Sequence, residues 1–121
     1  MINPNNLIRG SVWLVDLDPT VGHEQAKKRP CLVISSDTYN HGRAGLAIIL
    51  PITSKQRELY WHVTINPSEG GLEKVSYVIC DQMRCVSLER FAPKCFGFIG
   101  DYTMQQIEER LKILLYFLPE K

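Results

Sequence analysis

The strongest constraint on what this chain can fold into is a change of hydrophobic period near residue 103. Upstream, apolar residues come in short runs bounded by turn residues. Downstream, Met104, Ile107, Leu111, Leu114, Leu115 and Leu118 recur at helical spacing. Thr103 with Gln106 three positions on has the form of a capping box, and Pro119 is the expected stop. A series of strands followed by one amphipathic helix predicts a mainly β protein with a C-terminal helix (α+β). Its sheet is a small antiparallel one or a partly closed barrel, with the helix laid against it.

The strands are read from residue type and alternation. Ser11 to Leu17 is the first. Cys31 to Ser35 is the second, and its unbroken apolar run predicts burial on both faces. Leu46 to Ile52 is the third. Leu59 to Ile65 alternates, with Tyr60, His62 and Thr64 on one side and Trp61, Val63 and Ile65 on the other. Ser76 to Val86 holds one long strand or two joined by a bend, and Phe96 to Ile99 is the last. Asp37 to Gly45 reads as a turn or short helix capped by Asp37, and residues 66–71 carry turn chemistry. The 121 residues are expected to form one domain, with residues 1–8 as a loose lead-in.

Composition narrows function. A net charge of +1 excludes indiscriminate coating of a polyanion, so any such binding must come from a local patch. The cations available for one are Lys27, Lys28, Arg29, Lys55, Arg57 and Arg84. Cys31, Cys80, Cys85 and Cys95 lack zinc-site spacing and are expected as buried, reduced thiols, with no metal and no cofactor. The N-terminus has no signal-peptide core, and the longest apolar run, Ile113 to Leu118, is too short to span a bilayer. A cytoplasmic protein is expected.

One segment stands apart. Residues 16–30 join the first two strands, yet they are far more numerous than a hairpin needs. His23, Glu24, Gln25, Lys27, Lys28 and Arg29 crowd into seven positions of it. RNA is cut without a metal when its own 2′-hydroxyl attacks the adjacent phosphorus. A protein then helps remove that proton, stabilises charge on the phosphorane and protonates the leaving 5′-oxygen. Arg29 suits charge stabilisation by bidentate hydrogen bonding. His23, Glu24 and Asp81 are candidates for proton transfer. Thr53 offers a hydroxyl at a strand end, and Gln25 and Gln82 carry amides able to read base edges. His41 and His62 have no partner in sequence and receive no role.

Three ordered blocks resemble the MazF/PemK (Kid) toxins, the ribosome-independent mRNA endoribonucleases of type II toxin–antitoxin modules. The first is Arg9-Gly-Ser-Val-Trp-Leu-Val-Asp-Leu-Asp-Pro-Thr20, followed by Gly22-His-Glu-Gln25 and Arg29-Pro-Cys-Leu-Val-Ile34. The second is Leu50-Pro-Ile-Thr-Ser54, and the third is Cys80-Asp-Gln-Met-Arg84, with Gly70-Gly-Leu72 ahead of it. The resemblance runs from about residue 8 to 118. It implies an SH3-like β barrel of the MazF/CcdB/Kid type, a homodimer and a cognate antitoxin whose C-terminal segment covers the RNA groove. It also implies metal-independent, sequence-specific cleavage of single-stranded mRNA to 2′,3′-cyclic phosphate and 5′-hydroxyl ends. The family's catalytic arginine falls on Arg29 and its hydroxyl partner on Thr53. Its RNA-contacting loop residues fall on His23, Glu24 and Gln25, and the Kid-branch aspartate on Asp81. Lys27, Lys28, Ser54, Gln82 and Arg84 complete the expected RNA-binding set. Where the Kid branch has an arginine two residues before that aspartate, this chain has Ile79. Two alternatives stay open on sequence alone. One is a CcdB-like, non-enzymatic gyrase inhibitor acting through its C-terminal helix. The other is a catalytically silent relative that retains RNA or antitoxin binding.

Overall fold

The computed structural model describes residues 1–117, so Leu118 and the helix stop expected at Pro119 lie outside the described residues. Seven strands form one antiparallel sheet: β1 (Ser11–Asp16), β2 (Lys28–Val33), β3 (Leu46–Thr53), β4 (His62–Ile65), β5 (Ser76–Ile79), β6 (Arg84–Ser87) and β7 (Phe91–Phe98). A one-turn helix, α1 (Asp37–Asn40), links β2 to β3, and α2 (Asp101–Leu114) follows β7. The spatial order is β4-β5-β3-β2-β1-β7, with β6 on β3. The sheet ends at β4 and β7, so the barrel is not closed.

β3 is the hub. One edge pairs with β2; the other pairs first with β6, over Leu46 to Ile49, and then with β5, at Ile52 and Thr53. A 3-10 turn at Cys80–Gln82 lets the chain step from β5 to β6 beside the same strand. Ser76 to Val86 is therefore two strands, and the turn between them carries Asp81 and Gln82.

Both faces of the sheet are apolar, because β1, β2 and β3 each feed two cores. Trp13, Val15, Cys31, Val33, Ala47 and Ile49 meet Leu88 and Phe91 on one side. Val12, Leu32, Leu50 and Ile52 meet Val63, Ile65, Val78 and Ile107 of α2 on the other. The run at Cys31 is thus buried on both faces, as its lack of alternation predicts. Trp13 and Phe91 pack edge to face at 6.1 Å, a geometry favoured by ring quadrupoles.

The structure departs from the sequence reading in several places, each for a local reason. The N-terminus is packed, with Ile2 and Leu7 buried in the first core. β2 begins at Lys28, so Lys28, Arg29 and Pro30 stand on a strand; cross-strand pairing with β1 carries through Pro30, whose missing N–H is tolerated short of the β3 ladder. Ser36, not Asp37, caps α1, its hydroxyl accepting from Tyr39 N–H at 3.2 Å. The Asp37 carboxylate instead accepts from the Arg9 N–H at 2.7 Å. β7 begins at Phe91, because Arg90 anchors its start to the backbone of Asp16. α2 begins at Asp101 with no side-chain cap, and Thr103 is buried in its first turn. Cys31 and Cys80 are buried as expected, but Cys85 is exposed and Cys95 half-buried. Among the described residues no helix is long and apolar enough to cross a membrane.

Candidate active site

Backbone register brings the site together. β2 and β3 pair Val33 with Ile49, Leu32 with Leu50 and Cys31 with Pro51. Arg29 and Thr53 stand on these two strands, each two residues beyond the last of those pairs. Both line one open cavity of about 520 Å³, with Ser54, Lys74, Lys94 and Phe96 around it. Gly71 forms part of its wall, at φ +73°; a Cβ there would lie 1.9 Å from the carbonyl oxygen of Phe96. That close approach of two backbones admits only glycine.

Local hydrogen bonds orient both groups. Arg29 Nε–H donates to the carbonyl of Ala26 at 2.9 Å. The two terminal nitrogens of its guanidinium remain available to an anion. Thr53 is 8% exposed. Its Oγ1 accepts from the Lys55 N–H at 3.1 Å, which leaves the hydroxyl proton to be donated elsewhere. The only ion pair among the described residues is Arg9–Glu108, at 3.0 Å. Arg29, Lys74 and Lys94 therefore face the cavity without a carboxylate bonded to any of them, and Glu73 is the one acid on its lining.

Thr53 also lines a second cavity, of about 250 Å³, shared with His23, Gln25, Arg57, His62 and Asp81. Asp81 and Gln82 continue into a third, of about 200 Å³, with Glu24 and Arg84. Thr53 is thus common to the first and second cavities, and Asp81 and Gln82 to the second and third. The Asp81 carboxylate is exposed and makes no hydrogen bond among the described residues.

Several expected RNA-binding side chains are spent on holding the loop. The Gln82 amide oxygen accepts from Gln25 N–H at 2.7 Å, and its nitrogen donates to the His23 carbonyl at 3.2 Å. Gln82 is a staple for the His-Glu-Gln segment rather than a free amide. The Glu24 carboxylate accepts from Val21 N–H at 2.7 Å, closing its own turn. Arg84 donates to the Leu17 carbonyl at 2.7 Å at the loop's neck. That neck is tied again by Lys27 N–H to the Asp18 carboxylate, at 2.9 Å, and by Leu17 N–H to the Lys27 carbonyl, at 2.9 Å. Lys28 alternates away from Arg29 along β2 and lines a separate cavity with Glu89 and Arg90. Lys27 and Lys55 line none of these cavities; Ser54 lines the first and Arg57 the second.

The sequence reading missed four residues at this site. Lys74, Lys94 and Phe96 come from distant segments and had no local signal. His62 had one: Val63 and Ile65 fill the core, so alternation turns His62 to the opposite face. His41 is structural, its Nε2 bonded to the Leu7 carbonyl at 2.8 Å.

Burial pushes the Cys31 and Cys80 thiols up to about 12 from a usual 9.0, against a smaller downward pull from Arg84 and Arg29 on Cys31 and from Arg110 on Cys80. Burial therefore keeps both as neutral thiols near neutral pH, poorly suited to act as nucleophiles. Among the described residues no group of three or more His, Cys, Asp or Glu side chains is placed to hold a metal ion.

Residues 8–115 match the family described as PemK-like, MazF-like toxin of type II toxin-antitoxin system. Endoribonuclease EndoA of Bacillus subtilis (strain 168) is 35% identical over 109 residues, covering 88% of this chain and 92% of that protein. The crystal structure of MazF from Deinococcus radiodurans superposes with a TM-score of 0.79 at 26% identity, covering 91% of this chain and 96% of that one. MazE-MazF from the same organism gives 0.74 at 27% identity, covering 93% and 97%.

Proposed function

This chain belongs to the PemK-like, MazF-like toxins of type II toxin–antitoxin systems, and we propose that it is an endoribonuclease that cuts single-stranded mRNA by 2′-hydroxyl attack. The observation that carries the reading is the convergence of Arg29 and Thr53 on one cavity whose cations have no carboxylate bonded to them. That combination selects a phosphate and holds it against a guanidinium and a hydroxyl donor.

The 2′-oxygen bonds to phosphorus, the P–O5′ bond breaks, and the proton lost by the 2′-hydroxyl is balanced by one delivered to the 5′-oxygen. Arg29 binds the non-bridging oxygens through its terminal nitrogens and stabilises the charge that grows on them. A guanidinium keeps its proton under all ordinary conditions, so charge stabilisation is its first role. Thr53 donates its hydroxyl to the same phosphate. Asp81 and His23, in the cavity adjoining Thr53, are the groups for the two proton transfers. Position 79 at the end of β5 is a buried isoleucine, so no arginine shares this duty from that strand. Ser54 and Gln25 contact the RNA; Gln82, Glu24 and Arg84 hold the loop that presents them. No cofactor enters these steps.

The reading extends to partners and place. The working form is a homodimer restrained by a cognate antitoxin, as the MazE-MazF structure of a relative supports, and it acts in the cytoplasm, where mRNA is. One domain carries the whole activity.

The test is cleavage of a long single-stranded RNA in excess EDTA, with end-group analysis. Discrete fragments bearing 2′,3′-cyclic phosphate and 5′-hydroxyl ends are expected. Loss of all cutting on chelation, or 3′-hydroxyl products, would overturn the mechanism. A gyrase-poisoning toxin would leave the RNA intact and break DNA instead.

A further inference from the structure

We infer that the cavity of about 250 Å³ beside Thr53 seats one nucleobase of the RNA next to the cleaved linkage, and that His62 reads the edge of that base. The inference rests on the endoribonuclease reading and adds to it a specificity pocket and its reader.

The two cavities that meet at Thr53 differ in chemistry. The larger gathers Arg29, Lys74 and Lys94, the lining expected for a phosphodiester backbone. The smaller carries one full cation, Arg57, together with the Asp81 carboxylate, so its net attraction for phosphate is weak. What it offers instead suits a flat heterocycle. Ile79 is 1% exposed and lines this cavity from the end of β5. Leu59 stands on the lining with it, and His62 and Gln25 supply donors and acceptors at the edge. The volume is below the range of about 300–1,000 Å³ usual for drug-sized ligands, which fits a single base rather than a whole nucleotide chain.

His62 carries the inference. Its Nδ1 is buried and has no hydrogen-bond partner among the described residues. Such a nitrogen is costly unless something satisfies it, and native sites rarely keep one without a use. A half-turn of the ring about Cβ–Cγ exchanges Nδ1 with Cδ2, and such a turn is what brings this nitrogen to the edge of a bound base. The backbone of His62 is fixed by pairing with Ile79. The wall before it is braced by α2: Arg110 Nε donates to the Tyr60 carbonyl at 3.1 Å, with its guanidinium 4.5 Å over the Tyr60 ring. The backbone that carries His62 is therefore set before RNA arrives. Unstacked bases held on side-chain edges are the usual way single-stranded RNA is read by sequence.

The test compares kcat/KM on oligoribonucleotides that vary one nucleotide at a time around a mapped cut site, for the wild type, His62→Leu and His62→Gln. His62→Leu is expected to reduce discrimination among bases at one position by about tenfold or more, the size of losing one edge contact. Its melting temperature should equal or exceed that of the wild type, because the unpartnered nitrogen is gone; a merely structural histidine would show the reverse. His62→Gln should keep a preference at that position, and it gives the same readout if the leucine variant folds poorly. Unchanged base preference at every position, or an effect confined to antitoxin affinity, overturns the inference while the nuclease reading stands. A wild-type protein that cuts no RNA overturns both.

Discussion

Arg29 and Thr53 are held by strands, whereas His23 and Gln25 are held by the side chain of Gln82, which reaches in from the turn after β5. The first pair inherits its spacing from the β2–β3 register, which both cores lock in place. The loop depends on a few bonds from Gln82, Arg84 and Lys27 to its backbone and neck. Groups on a packed ladder keep one geometry. Groups on a loop tied by a few hydrogen bonds, each worth about 1 kcal/mol, shift with modest changes in free energy. The division suits a nuclease whose chemistry is constant and whose substrate contacts must adapt.

Substitutions in the strand pair and in the loop separate the two. The largest effect is expected for Arg29→Ala, which should lower kcat by about a hundredfold or more with the fold intact, the cost of losing a charge stabiliser. Circular dichroism and single-turnover cleavage check it together; a folded, fully active variant would remove Arg29 from the chemistry. Next is Thr53→Val, expected to lower kcat by about tenfold to a hundredfold with little change in KM. Gln82→Ala should do the opposite. Releasing the staple leaves the strand pair in place, so KM should rise several-fold while kcat changes about twofold or less. A Gln82 variant that loses kcat as severely as Thr53→Val would show that the loop and the strands act as one unit.

The smallest effect concerns stability. The folded-state pKa of Cys31 is pushed up to about 12 from a usual 9.0. Below 9 the thiol is neutral in both states and its contribution to folding is complete. As pH rises from 9 toward 12 the unfolded chain loses its proton first, so stability falls. Urea melts at pH 8 and pH 10 should show a smaller alkaline loss for Cys31→Ala than for the wild type. Equal losses would mean that the strand side of the site is more open than its burial indicates.

Much of this was legible in the residues, and the rest failed for physical reasons. The burial of Cys31–Val33 follows from an unbroken apolar run and the outward turn of His62 from alternation, and neither needs tertiary knowledge. Arg29 sits on a strand because β1 pairs with β2 as far as Lys28, and the Lys-Lys-Arg run gives no hint of that pairing. The true start of β7 was hidden by charged and proline residues, since Arg90 and its backbone partners are 72 or more positions apart. Gln82, Glu24 and Arg84 have the residue types of RNA readers. Only coordinates reveal that each already spends a polar group on holding the loop.

The most direct test of the central claim is a double-mutant cycle on Arg29 and Thr53, read as the single-turnover rate of RNA cleavage in EDTA. If the two groups act on the same phosphate, Arg29→Ala/Thr53→Val should be little slower than Arg29→Ala alone. Losses that multiply in full would contradict it, showing that the guanidinium and the hydroxyl serve separate steps or separate sites.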